Sequence, residues 1–150
     1  MIDAPVRLSL RTARALALFV PLALAIGYIG GVLLPAPDGE VPLAFSFVRL
    51  LGLCGAILLF LDVRGQRANA ADTMLDERER ADRDRAYVAT HRVIVGVLFV
   101  GFIAMLAARL LGRTLPDGEA MMDLISAFAI GAMALPGMFL AWREEADEID

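Results

Sequence analysis

The chain predicts an all-α fold, an integral membrane four-helix bundle made of two helical hairpins. Three observations carry that expectation. Apolar residues fill 59% of the 150 positions, and the mean hydropathy of +0.67 lies above the ordinary globular level. The apolar residues gather into four blocks, at 15–34, 43–61, 93–111 and 120–142, each close to the roughly 20 residues a helix needs to cross a bilayer. Between the second and third blocks lies a charged segment, 65–92, so the blocks pair as two hairpins of one membrane domain covering 1–150.

The first block follows Arg7, Arg11 and Arg14. A basic start and the triplet Ala23-Leu24-Ala25 also suit a cleaved signal peptide, but the apolar run continues nine residues past Ala25. That favours an uncleaved first helix. Pro21 removes one backbone hydrogen bond inside it and invites a kink. Gly27 and Gly31 form a GxxxG spacing that lets a neighbouring helix approach closely. A Pro- and Gly-containing turn at 35–40 leads to the second block, which carries Arg49 and ends at Asp62-Val63-Arg64-Gly65, with Gly65 placed to cap its C-terminus. Cys54, the only cysteine, excludes an intramolecular disulfide and a CxxC site and reads as a small packing residue. The third block carries Arg109 near its end. The fourth ends at Trp142 and Arg143, a pair suited to a membrane interface, ahead of an acidic tail.

Arginine placement predicts the threading. The N-terminus, the central segment and the tail hold 3, 7 and 1 arginines, and the two short turns hold 0 and 1. Basic residues near helix ends stay inside, so both termini and the charged segment are expected in the cytoplasm and the turns outside. Lysine is absent and Ala, Gly and Asp are abundant, a composition that suits a GC-rich bacterial genome and hence the inner membrane. A net charge of −4 speaks against a nucleic-acid surface.

The word Pro-Asp-Gly-Glu stands in both turns, at 37–40 and 116–119. The same offset of 79 aligns Gly52 with Gly131, Phe60 with Phe139, Leu61 with Leu140 and Arg64 with Arg143, eight identities over 28 positions. Duplication of a hairpin explains this. So does convergence, because Pro-Asp-Gly is favoured turn chemistry and Glu suits a helix N-terminus.

Few residues point to chemistry. Arg49 sits about 9 Å inside its helix, and charges within membrane helices usually pair or face an interior. Asp123 lies about 5 Å from the external end of the fourth helix, on the same half, so an Arg49–Asp123 ion pair is geometrically available. Arg109 and Glu119 join it in a candidate intramembrane polar cluster, read either as an interhelical clamp or as a small outward-facing pocket. His91 is the only histidine, which leaves a bis-His haem without its second ligand. No zinc, Walker, EF-hand or Ser-His-Asp pattern is present, so the chain reads as a non-enzyme with no cofactor and no metal.

Segment 72–92 holds eleven charges in twenty-one positions. Thr73 with Asp76 approximates a capping box. Asp76 with Arg80, Glu79 with Arg83, and Asp82 with Arg85 are spaced to pair along a helix. A helix from about Thr73 is expected to run unbroken into the third block and to project roughly 27 Å into the cytoplasm. Asp76, Glu77, Arg78, Glu79, Arg80, Arg83 and Arg85 form its candidate docking face for a cytoplasmic protein or a second copy, and its plainer reading is a solvated linker. The words Asp76-Glu77-Arg78-Glu79, Arg85-Ala86 and Tyr87-x-x-x-His91-Arg92-Val93 resemble those of small uncharacterised bacterial membrane proteins that carry a DERE or DERD segment before a membrane helix. That resemblance implies an integral membrane protein and carries over no site residues. The function expected is that of a non-enzymatic membrane subunit or regulator acting by helix packing and its charged helix. The alternative is a small transporter or ligand-binding membrane protein.

Overall fold

A computed structural model describes residues 6–33, 41–112 and 115–144. The first turn, including Glu40, and the tail beyond Glu144 lie outside the described residues. The described residues form five helices: α1 (Leu10–Leu33), α2 (Leu43–Leu61), the short α3 (Val63–Ala68), α4 (Glu77–Leu110) and α5 (Gly118–Arg143), with a 3₁₀ turn at Asp72–Met74 between α3 and α4. Four of the five are long and apolar enough to cross a membrane. The only extended pairing among the described residues is a single parallel bridge between Val6 and Asp62.

Small side chains dictate the packing. Buried Ala13, Ala17 and Val20 of α1 meet Ala56 and Leu59 of α2 and Ala134, Met138 and Ala141 of α5. With so many alanines the helices come close, and glycines bring α1 and α2 closer still. A Cβ on Gly27 would lie 2.6 Å from Arg49 Cγ, one on Gly55 would lie 2.8 Å from Val20 Cγ2, and one on Gly30 would run into the Phe45 ring. The pair facing α2 is therefore Gly27 with Gly30. The surroundings of Gly31, the expected partner, lie outside the described residues. Gly52 and Gly131, aligned by the 79-residue offset, both face Leu24, where an added Cβ would lie 3.0 and 3.3 Å from its side chain. Pro21 and Pro136 sit inside α1 and α5, which continue through them.

α4 is built differently. It runs unbroken for 34 residues and packs mainly on α5, with a lighter contact to α3. It contributes no residue to the α1–α2–α5 core, and none of its residues from 91 to 110 is buried. Its start is fixed by a reciprocal capping box. The Asp76 carboxylate accepts the Glu79 N–H at 2.7 Å, and Glu79 accepts the Asp76 N–H at 3.3 Å. The helix thus begins at Glu77, four residues later than Thr73, which lies in the 3₁₀ turn.

Two further expectations are corrected. Gly65 does not cap α2. Asp62 ends that helix in an extended conformation, and Gly65 lies inside α3. Cys54 is exposed on the outer face of α2 and takes no part in core packing.

Candidate functional site

The N-terminus of α1, the α2–α3 junction, the start of α4 and the C-terminus of α5 meet at one end of the bundle, and its charges knit them together. Asp62 is fully buried. One carboxylate oxygen accepts the Leu8 N–H at 2.9 Å and the other accepts from the Arg64 guanidinium at 2.9 Å. Asp62 stands at the N-cap of α3, where a carboxylate ordinarily accepts a helix N–H. Here both oxygens are engaged by remote segments, and no side-chain cap forms. Arg64 also donates to the Glu144 carboxylate at 2.5 Å and to the Leu8 carbonyl at 3.3 Å. Burying an arginine requires that its donors be matched, and three segments supply the acceptors.

Arg14 completes the end. It donates to the carbonyls of Ala141 at 3.0 Å and Glu144 at 2.6 Å, and its guanidinium lies 5.6 Å from the Trp142 ring centre. These are the orphan carbonyls of the last turn of α5, where a cation also meets the negative end of the helix dipole. Arg67 reaches Glu144 and Glu79 at 3.5 and 3.7 Å from an exposed position, and such surface pairs contribute little.

The charged half of α4 folds back onto this end. Arg83 bonds to Asp72 at 2.7 Å, to Asp84 at 3.1 Å and to the Ala70 carbonyl at 3.1 Å. The hydrogen bonds to Asp72 and Asp84 push its pKa further above the usual arginine value, so it stays charged at any working pH. Arg80 donates to the Leu75 carbonyl at 3.0 Å. Of the pairings expected along the helix, Asp82 with Arg85 forms, at 3.7 Å. Arg80 and Arg83 instead take partners in the connector, Arg80 the Leu75 carbonyl and Arg83 the Ala70 carbonyl and the Asp72 carboxylate. Arg143 on α5 closes the contact at 3.4 Å from Asp82. The segment is tied down along one side and does not project free of the bundle.

A cavity of about 230 Å³ opens among these groups, lined by five arginines and four carboxylates. It collects Asp76, Arg78, Glu79 and Arg83 of the candidate docking face, while Glu77, Arg80 and Arg85 lie outside it. The arginines and carboxylates largely satisfy one another, and no nucleophile is paired with a base. Among the described residues no group of His, Cys, Asp or Glu is placed to hold a metal ion.

At the opposite end the candidate intramembrane cluster does not assemble as expected. Arg49 makes no ion pair with Asp123 among the described residues. Its Nε donates to the Gly27 carbonyl at 2.8 Å, and its guanidinium stacks 4.3 Å from the Tyr28 ring centre. The Tyr28 hydroxyl donates to the backbone carbonyl of Asp123 at 3.3 Å. The clamp therefore runs from Arg49 through Tyr28 to the α5 backbone. It follows that exchanging the charges, Arg49→Asp with Asp123→Arg, is expected not to restore the stability lost in Arg49→Asp alone. Thermal unfolding in detergent measures this, and full rescue would show an ion pair. Arg109 is exposed near the end of α4, away from this clamp, and the side chain of Glu119 lies outside the described residues.

The residues that sequence reasoning missed are Asp62, Arg64, Glu144, Arg14 and Tyr28. For Arg64 a signal existed in the proximity of Asp62 at a helix end, but nothing local marks the pair as buried. No family model, curated protein or solved structure matches the chain.

Proposed function

We propose that the chain is a multi-pass membrane protein of a bacterial inner membrane, with both termini and the charged end in the cytoplasm. In this reading it acts without catalysis, as a subunit or regulator. The observation that carries it is the division of α4. Its charged half is tied to α3 and α5 by the ion pairs Arg67–Glu79 and Arg143–Asp82, and its apolar half has no buried residue from 91 to 110. An apolar helix left exposed over most of its surface suits a lipid or protein environment and not water. All the cross-ties between remote segments at the charged end lie on the side that the arginine distribution assigns to the cytoplasm.

The transporter alternative needs Arg49, Asp123 and Arg109 around one outward space. The engagement of Arg49 by Gly27 and Tyr28, and the exposure of Arg109, support the packing role instead.

The test uses the single native cysteine. In a Cys54→Ser background, Leu115→Cys is expected to react with a membrane-impermeant maleimide in cells whose outer membrane has been permeabilised. Asp84→Cys is expected to react only after the inner membrane is also opened. Labelling of Asp84→Cys before that step would overturn the threading. Purification in mild detergent then reads the assembly directly. A strict monomer without a co-purifying protein would remove the subunit reading.

A further inference from the structure

The outer side of α4 carries a continuous stripe that no described residue covers. Ala86 and Thr90 are buried toward the rest of the bundle, and Ile94 is half-buried. On the far side stand Ala81, Val88, Val95, Phe99, Phe102 and Leu106, all exposed, the last five between 43% and 64%. With Arg85 and Arg92 they recur at alternating steps of four and three residues from 81 to 106. That is the strict heptad spacing of a helix that packs along another helix.

From Ala81 to Leu106 the stripe is roughly 38 Å long at about 1.5 Å per residue, more than the roughly 30 Å of a hydrocarbon core. Lipid therefore suffices for its apolar half but not for Ala81 and Val88, which precede the border at His91 and Arg92. Their place on the same line calls for a protein that follows α4 across that border.

The charges beside the stripe indicate which protein. Adjacent residues on a helix stand about 100° apart, so Asp84 and Arg85 lie on either side of its midline, acid on one side and base on the other. Glu77 and Arg78, both in the candidate docking face, repeat the arrangement seven residues earlier. The ion pairs of α4 engage Glu79, Asp82, Arg83, Asp84 and Arg85, and leave Glu77 and Arg78 without one among the described residues. Arg85 reaches Asp82 only at 3.7 Å with its own side chain 64% exposed, and the Asp84 side chain is 68% exposed beside Arg83. Copies threaded the same way through one membrane meet with their α4 helices parallel, about a two-fold axis along the membrane normal, so each level faces itself. That axis brings Asp84 of one copy against Arg85 of the other, and Glu77 against Arg78. Arg92 follows His91 and no acid, but it lies at the border, where its long side chain reaches the headgroups.

We propose that two copies of the chain form a parallel dimer through this side of α4, with the stripe as its seam and the pairs Asp84–Arg85 and Glu77–Arg78 formed between copies. The proposal rests on the membrane reading above and names the partner of the subunit role as a second copy.

The full chain is tested in the membranes of cells that express it, in the Cys54→Ser background, by oxidising single cysteines with copper phenanthroline. Val88→Cys and Val95→Cys, on the stripe, are expected to give a disulfide-linked species of twice the chain mass. Val97→Cys is as exposed as Val95→Cys but lies on nearly the opposite side of the helix, and should give several-fold less. Sedimentation equilibrium in detergent reads the charges. Arg85→Glu is expected to raise the dimer dissociation constant about fivefold, the effect of losing two exposed charge pairs. Adding Asp84→Arg to it should restore the original value. Helix content by circular dichroism reports that each variant folds, and the cysteine contrast stands without the charge variants. Equal cross-linking of Val95→Cys and Val97→Cys, no dimer from either stripe cysteine, cross-linking to a protein of another mass, or no rescue by the charge exchange overturns the dimer alone. Release of the chain from membranes by alkaline carbonate overturns the membrane reading, and the parallel dimer with it.

Discussion

Asp62→Asn is expected to lower the unfolding free energy by about 3 kcal/mol, the cost of breaking a buried ion pair by removing one partner. An asparagine can still accept the Leu8 N–H through its oxygen. Its amide group, however, then faces the Arg64 guanidinium, donor against donor, where the carboxylate now accepts at 2.9 Å. Arg64 keeps Glu144, which is the reason for placing the loss at the lower end of the usual range. Removing both charges, Asp62→Leu with Arg64→Leu, should cost clearly less than the sum of the single changes, because no charge is left buried without a partner. A cycle of the four proteins, unfolded in detergent, measures the coupling. Hydrogen exchange adds a local readout. The Leu8 amide, held by Asp62, should exchange faster in Asp62→Leu than in wild type. A loss below about 1 kcal/mol in Asp62→Asn would place the pair in the class of exposed bridges and sink the idea that it fastens the charged end.

How legible this end was in the sequence follows from the kind of interaction involved. The four long helices were readable because each is marked by a continuous apolar run, a local signal that needs no partner. The observed α2, Leu43–Leu61, has the same bounds as the second apolar block for that reason. The start of α4 was missed by four residues because two capping words overlap. Thr73 with Asp76 and Asp76 with Glu79 both have the required spacing, and the second has the stronger N3 residue. Of the buried network only the closeness of Asp62 and Arg64 was legible, and not their burial. Asp62 and Leu8 are 54 residues apart, and Arg64 and Glu144 are 80 apart, so only the tertiary fold brings them together. The same holds for Arg49. Its depth in the helix showed that it needed a partner, and a carboxylate on the same half of the bundle looked sufficient. A backbone carbonyl exposed by Gly27 and the face of the adjacent Tyr28 lay closer on the neighbouring helix. The glycine that admits the arginine side chain was readable as a packing residue, but not as the opening through which a charge is satisfied.

The second large effect is expected at the contact between α3 and α5, where two glycines face each other. Gly137 lies so near α3 that a Cβ on it would be 3.2 Å from both the backbone nitrogen and the Cα of Gly65. A Cβ on Gly65 would overlap the carbonyl oxygen of Phe60 and come within 2.5 Å of that of Leu59. Those atoms are backbone of α2, held by the core that Leu59 anchors, and cannot turn aside as a side chain can. Gly65→Ala is therefore expected to cost about 3 kcal/mol, the upper end for overpacking, and to displace α3 together with Arg64. Gly137→Ala should behave differently. Its clash is a matter of tenths of an ångström, against Gly65 of the six-residue α3 and, at 3.3 Å, the Leu59 carbonyl of α2, and alanine regains up to about 1 kcal/mol of helix propensity in the interior of α5. The two terms nearly cancel, so a change within about 1 kcal/mol is expected. Gly137→Leu restores the large loss, because no small shift of α3 makes room for a branched side chain. Unfolding of the three variants in one detergent gives the ordering. Equal losses in Gly65→Ala and Gly137→Ala would mean that the contact yields as a whole, and that the α2 carbonyls do not fix the position of α3. With the predicted ordering, Gly65 is the residue that lets the chain turn from α2 into α3 closely enough for Asp62 and Arg64 to face inward, and the ionic network depends on it.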